Sequence, residues 1–164
     1  MQFLIEYPLE EKRIEQHIYH LIKNINYFDK DGRMTVLEVI ERIVAKFPTE
    51  ILDKYAFILF LSLILRTVNE KMAELKQKAN VILKQLLENI SDSKRDDIIK
   101  TVLTWDYNAS QEIDDSLKDV SSQCHESMLK RVTFLLLSLI ITIDGKKFTS
   151  KYFDRTIELV NKEI

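Results

Sequence analysis

Residue types that can do chemistry gather at three places in this chain. The first is Asp29-Lys30-Asp31-Gly32, with Glu38 behind it. An EF-hand calcium loop needs oxygen ligands at positions one, three and five, glycine at six and a bidentate glutamate at twelve. Placing Gly32 and Glu38 in those roles puts Tyr27 first; starting on Asp29 puts Arg33 fifth and Ile40 twelfth. Both registers lose essential ligands, so the stretch reads as an acidic turn between helices. The second place is His17 and His20, three apart and on one side of a helix. Glu11 and Glu15 are nearby, but the spacing completes no four-ligand zinc shell. The third is Cys124-His125. Adjacent side chains on a helix point in different directions, whereas a thiol–imidazole nucleophile needs hydrogen-bond reach. There is no Ser-His-Asp pattern, glycine phosphate loop or CxxC. The expectation is a non-enzyme with no cofactor, no metal and no small-molecule substrate.

Cations at helical spacing offer a different chemistry. Between Glu70 and Ile90, Lys76, Asn80 and Lys84 follow one another at four-residue steps, with Lys78 beside them. Arg42 and Lys46 form a similar ridge on the preceding second helix. Such rows can meet RNA phosphates or an acidic protein surface. Glu38, Glu41, Glu74 and Glu88 lie alongside, so an ordinary solvated face is the competing reading. Arg42, Lys46, Lys76, Lys78 and Lys84 are the candidate contacts. The aromatics Phe28, Phe47, Trp105 and Tyr107 fall at helix ends or pair junctions. They could stack on bases; packing between helix pairs is the expectation.

The elements that must carry these residues are helices. Two glycines and two prolines stand where average usage would give roughly 11 and 8. Hairpins and dinucleotide folds consume glycine. Ile14, Ile18, Leu21, Ile22 and Ile25 mark one face of a helix from Glu10 to Ile25. Asn26 to Gly32 reads as a polar turn. Val36, Leu37, Ile40, Ile43, Val44 and Phe47 mark a second helix from about Arg33 to Phe47, stopped by Pro48. Thr49 reads as the cap of a short turn, Glu50 to Asp53, before a helix to Val68 that is apolar nearly all round. Met72, Leu75, Ala79, Ile82, Leu83, Leu86, Leu87 and Ile90 stripe the helix from Glu70 to Ile90. Ser91-Asp92-Ser93 caps a helix to about Trp105. Asp106 to Ser122 is acidic and lacks the apolar pattern, so it reads as a loop insertion. A helix follows from about Cys124 to Ile143, and a last one reaches Ile164 with Tyr152, Phe153, Ile157 and Val160 facing inward.

First helices of successive pairs begin near Glu10, Glu50, Ser93 and Phe148. The first two intervals are about 40 residues, the period of HEAT-type repeats. The expected fold is therefore an all-α solenoid of HEAT-like antiparallel helix pairs, about three and a half repeats. The pairs span roughly 9–47, 50–90 and 93–143, the last with an insertion at 106–122, and a half-pair covers 147–164. Apolar Phe3, Leu4 and Ile5 at one end and Ile157 to Ile164 at the other are not polar caps, which suggests a segment of a longer array. A net charge of −2 is no electrostatic footprint for nucleic acid. The lone Cys124 fits a reducing compartment. The start of the chain lacks a signal-peptide pattern, and the apolar runs Ala56–Leu65 and Val132–Ile143 fall short of the ~20 residues that span a bilayer. Neither secretion nor a membrane partner is expected.

Read as a string, the chain resembles a segment of the very large HEAT-repeat scaffold of the small-subunit processome, the family named after "down-regulated in metastasis". The matching stretches are Gln2 to Leu9 (QFLIEYPL), Gly32-Arg33 with Val36-Leu37-Glu38, Lys46-Phe47-Pro48 with Leu52, Leu65 to Glu70 (LRTVNE), Lys78-Ala79, Thr104-Trp105 and Ile157 to Ile164 (IELVNKEI). The resemblance implies a nucleolar, non-catalytic scaffold for pre-rRNA processing that contacts other ribosome-assembly proteins and pre-ribosomal RNA. It carries over no catalytic or binding residue. A generic HEAT-type adaptor for transport or trafficking would share the same composition and periodicity.

Overall fold

The structure, a computed structural model, describes residues 11–109 and 127–143 together with positions 152 and 157. Among them every regular element is a helix: α1 (Glu11–Asn24), α2 (Lys30–Lys46), α3 (Thr49–Asn69), α4 (Ala73–Asn89), α5 (Asp92–Ala109) and α6 over 127–143. None is long and apolar enough to cross a membrane.

Side-chain chemistry places the helix ends. Asp29 is the N-cap of α2, and its Oδ2 accepts the Gly32 N–H at 2.9 Å. Asp31 then sits in the first turn, where the helix dipole favours an acid. So α2 starts at Lys30 rather than near Arg33, and Asp-Lys-Asp-Gly is a cap and first turn rather than a loop. Phe47, ahead of Pro48, is extended at φ −79° and ψ 144° and ends α2. α3 then runs unbroken from Thr49. Thr49 is not a cap: its hydroxyl donates to the Asn89 carbonyl at 3.2 Å. α4 starts at Ala73, not Glu70, because the Glu70 Oε1 accepts the N–H groups of Lys71 (2.9 Å) and Met72 (3.0 Å). Ser91 Oγ accepts the Lys94 N–H at 3.3 Å at the head of α5. That helix continues to Ala109, four residues into the stretch expected to be an insertion.

Packing follows from which faces are apolar. α1 packs on α2 and α3 on α4, and across the pairs α2 packs on α4 and α3 on α5. The Thr49–Asn89 bond joins the head of α3 to the tail of α4, so those two are antiparallel. Arg33 meets Met72, Glu41 meets Lys78, and Asn89 Nδ2 donates to the Val44 carbonyl, so α2 and α4 run parallel. This all-helical stacking is compatible with an α-solenoid. One apolar core runs through it, and Ile40, Val44, Phe60, Leu63, Ile64, Leu75, Ile82, Leu83 and Leu86 are fully enclosed. α6 joins the stack through Arg131, whose Nη2 donates to the Val68 carbonyl at 2.6 Å and so closes the end of α3.

Positions 1–10, the rest of the 106–122 insertion, Cys124 and His125, and most of the half-pair 147–164 lie outside the described residues. Of the half-pair, Tyr152 is buried and its hydroxyl donates to Asp96 Oδ1 at 2.9 Å. Ile157 is 41% exposed, contrary to the inward placement expected for it.

Candidate partner-binding surfaces

The parallel pair α2 and α4 carries all five cations singled out from the sequence. Arg42 and Lys46 on α2 and Lys76 on α4 are exposed, and no ion pair involves them among the described residues. The other two are engaged. Lys78 Nζ lies 2.6 Å from Glu41 Oε2 and ties α4 to α2, with both side chains more than two-thirds buried. Lys84 Nζ lies 3.8 Å from Glu88 Oε1, one turn further along its own helix. Lys30 pairs with Glu74 at 2.7 Å, and that hydrogen bond and charge raise the lysine's pKa above its usual value. The surface therefore alternates in sign. Asn80, expected on the outer row with Lys76 and Lys84, is half-buried instead, and its Oδ1 is enclosed without a hydrogen-bond partner.

At the end of the stack where α1 turns into α2 and α3 into α4, an ionic cluster joins the two turns. Sequence reading missed it. Glu70 is 7% exposed. Its Oε2 pairs with the Arg66 guanidinium and stands 3.4 Å from Arg33 Nε. Arg33 Nη1 also donates to the carbonyls of Tyr27 (2.9 Å) and Phe28 (2.8 Å). Arg66 Nη1 donates to Asn26 Oδ1 at 3.1 Å. Burial, and then the charge of Arg33, lower the Arg66 pKa from its usual value. Only the Arg66/Glu70 spacing of four was a local signal. The cluster is mainly a clasp: it anchors the 25–29 turn and fixes the 70–72 turn.

Beside the clasp, α1 and α3 enclose a pocket of about 290 Å³. Ile22, Ile25, Leu61 and Leu65 form its apolar walls, and Asn26, Ser62, Arg66 and Asn69 its polar rim. The α1–α2 turn above presents Tyr27 and Phe28; Phe28 is 91% exposed. Packing between pairs, expected for Phe28, does not occur, whereas Phe47 does pack against the core. The side chains of Trp105 and Tyr107 lie outside the described residues. His17 and His20 are exposed on α1, and among the described residues no three histidine, cysteine or carboxylate side chains converge.

No protein-family model matches the chain. It is 26% identical over 104 residues to U3 small nucleolar RNA-associated protein 20 of Saccharomyces cerevisiae. It is 24% identical over 102 residues to the protein of the same name from Schizosaccharomyces pombe. These matches cover 63% and 62% of the chain, and each covers 4% of the far longer relative. The comparisons support a relation to proteins associated with U3 small nucleolar RNA.

Proposed function

We propose that the chain is a non-catalytic stretch of HEAT-type α-solenoid, about three and a half repeats, that serves as an interaction scaffold in small ribosomal subunit assembly and pre-rRNA processing in the nucleolus. The observation that carries this is the similarity to the two yeast relatives over more than three-fifths of the chain. The stacking of second helices α2 and α4, parallel and bridged by Lys78–Glu41, supports the repeat architecture. Its partners would be other assembly proteins, with pre-ribosomal RNA touched in the context of a longer chain. Purification of the tagged protein from cells should enrich U3 small nucleolar RNA over spliceosomal small nuclear RNAs. Equal recovery of both would overturn the reading and favour a general adaptor.

The charge geometry sets an upper limit on what this stretch does alone. Phosphate binding draws its strength from counterion release, which scales with the number of cations that pair. Among the described residues, only Arg42, Lys46 and Lys76 are uncommitted on the α2–α4 face. The isolated chain should therefore bind structured RNA no better than the weak end of non-specific affinity, about 10⁻⁴ M near physiological salt. Longer arrays would sum such contacts through effective concentration. A fluorescence assay at about 0.15 M ionic strength reads this directly. Tight binding abolished by Lys76→Glu with Lys84→Glu would show a dedicated RNA site instead.

A further inference from the structure

The pocket between α1 and α3 differs from the basic rows in kind. At about 290 Å³ it sits at the lower end of ligand-site volumes, about 300–1,000 Å³. That is room for one or two side chains, not for a folded domain or a nucleic-acid duplex. The four aliphatic wall residues would desolvate whatever enters. The rim is specific in a second way: among the described residues no carboxylate lines it. Arg66 and its neighbour Arg33 share the single carboxylate of Glu70, so the adjoining clasp carries one uncompensated positive charge. Asn26 turns its Oδ1 to the Arg66 guanidinium, which leaves its amide N–H₂ to donate elsewhere. Among the described residues Asn69 Nδ2 has only a weak partner, the Met128 sulfur at 3.9 Å. The rim thus offers donors and positive charge around an apolar floor.

We propose that this pocket docks a short segment of a partner protein in which a large apolar side chain lies beside an internal acidic residue. The apolar side chain enters between Ile22, Ile25, Leu61 and Leu65. The carboxylate stays at the rim, where Asn26, Asn69 and the positive clasp answer it. Burial and the neighbouring Arg33 lower the Arg66 pKa, and a carboxylate at the rim would offset that penalty. A phosphodiester would meet the same donors, but its ribose and neighbouring phosphates gain nothing from four aliphatic walls. The inference goes beyond the scaffold role and stands apart from it, since such a segment can dock whether or not the chain serves ribosome assembly.

The test uses the whole chain and a labelled peptide, fluorescein-Gly-Ser-Leu-Phe-Glu-Ser-Gly-amide, with Glu→Gln and Leu-Phe→Ala-Ala versions as controls. Saturable binding is expected for the Glu peptide, about ten-fold weaker for the Gln peptide, and lost for the Ala-Ala peptide. Methyl NMR should place the shifts on Ile22, Ile25, Leu61 and Leu65. In the protein, Leu61→Glu and, separately, the solvent-side Asn26→Asp should each weaken the Glu peptide, with helicity checked by circular dichroism. Equal affinity of the Glu and Gln peptides, shifts on other methyls, or no binding at millimolar peptide would overturn the proposal. So would an oligouridylate that perturbs the same methyls at lower concentration than the peptide. Loss of U3 enrichment from cells, by contrast, bears only on the scaffold reading.

Discussion

Glu70→Ala should destabilise the chain by about 3–5 kcal/mol, the cost of breaking a buried ion pair from one side. Glu70 is 7% exposed, and the side chains of Arg33 and Arg66 are 12% and 15% exposed. Removing the carboxylate leaves two guanidinium groups facing each other with no counter-charge and little water. It also strips the N–H groups of Lys71 and Met72 of their acceptor. Glu70→Gln keeps an acceptor for those two groups and removes only the charge, so it should lose less. Urea unfolding followed by circular dichroism gives all three stabilities. Replacing the cluster together, Arg33→Met with Arg66→Met and Glu70→Leu, should recover only the part of the loss that comes from unpaired charge, because leucine offers the Lys71 and Met72 N–H groups no acceptor either. A Glu70→Ala loss below about 1 kcal/mol, the worth of an exposed pair, would mean that water reaches the cluster.

That cluster also shows where sequence reading runs out. Helix identity was legible, because the stripes from Ile14 to Ile25, Val36 to Val44 and Leu75 to Ile90 each repeat at helical spacing, and Pro48 marks a stop. Helix ends were less so. Asp29 and Gly32 look like a turn by type, yet the Asp29 carboxylate makes them the head of α2. Glu70 looks like the start of α4, yet its side chain folds back to cap the turn. Both errors come from side chains that compete with or complete the backbone's hydrogen bonds. Of the candidate surface, the spacing of Lys76 and Lys84 was visible, but the loss of Lys78 to Glu41 depends on how α2 and α4 align. Phe28 was misplaced for a simpler reason. Apolar residues are usually buried, but an apolar type does not by itself say that a given residue is.

α3 was the hardest helix to orient, since it is apolar nearly all round, and it gives the sharpest test of the packing. Phe60 is fully buried, while Ile58, two positions earlier, is 41% exposed. The side chains of Leu59, Leu63 and Ile64 fill the same enclosed face as Phe60, against α4. Interiors are packed too tightly for neighbours to close a phenyl-sized hole. Phe60→Ala should therefore cost about 3–5 kcal/mol, combining lost apolar burial with a residual cavity. Ile58→Ala removes a partly solvated side chain and puts the best helix former in its place, so it should stay within about 0.5 kcal/mol of the parent chain. Paired urea titrations at equal protein concentration would measure both. Losses of similar size at the two positions would mean that the outward face of α3 is covered as fully as the inward one. The same result would place the Leu61–Leu65 side of the α1–α3 pocket under another part of the stack rather than open to a partner.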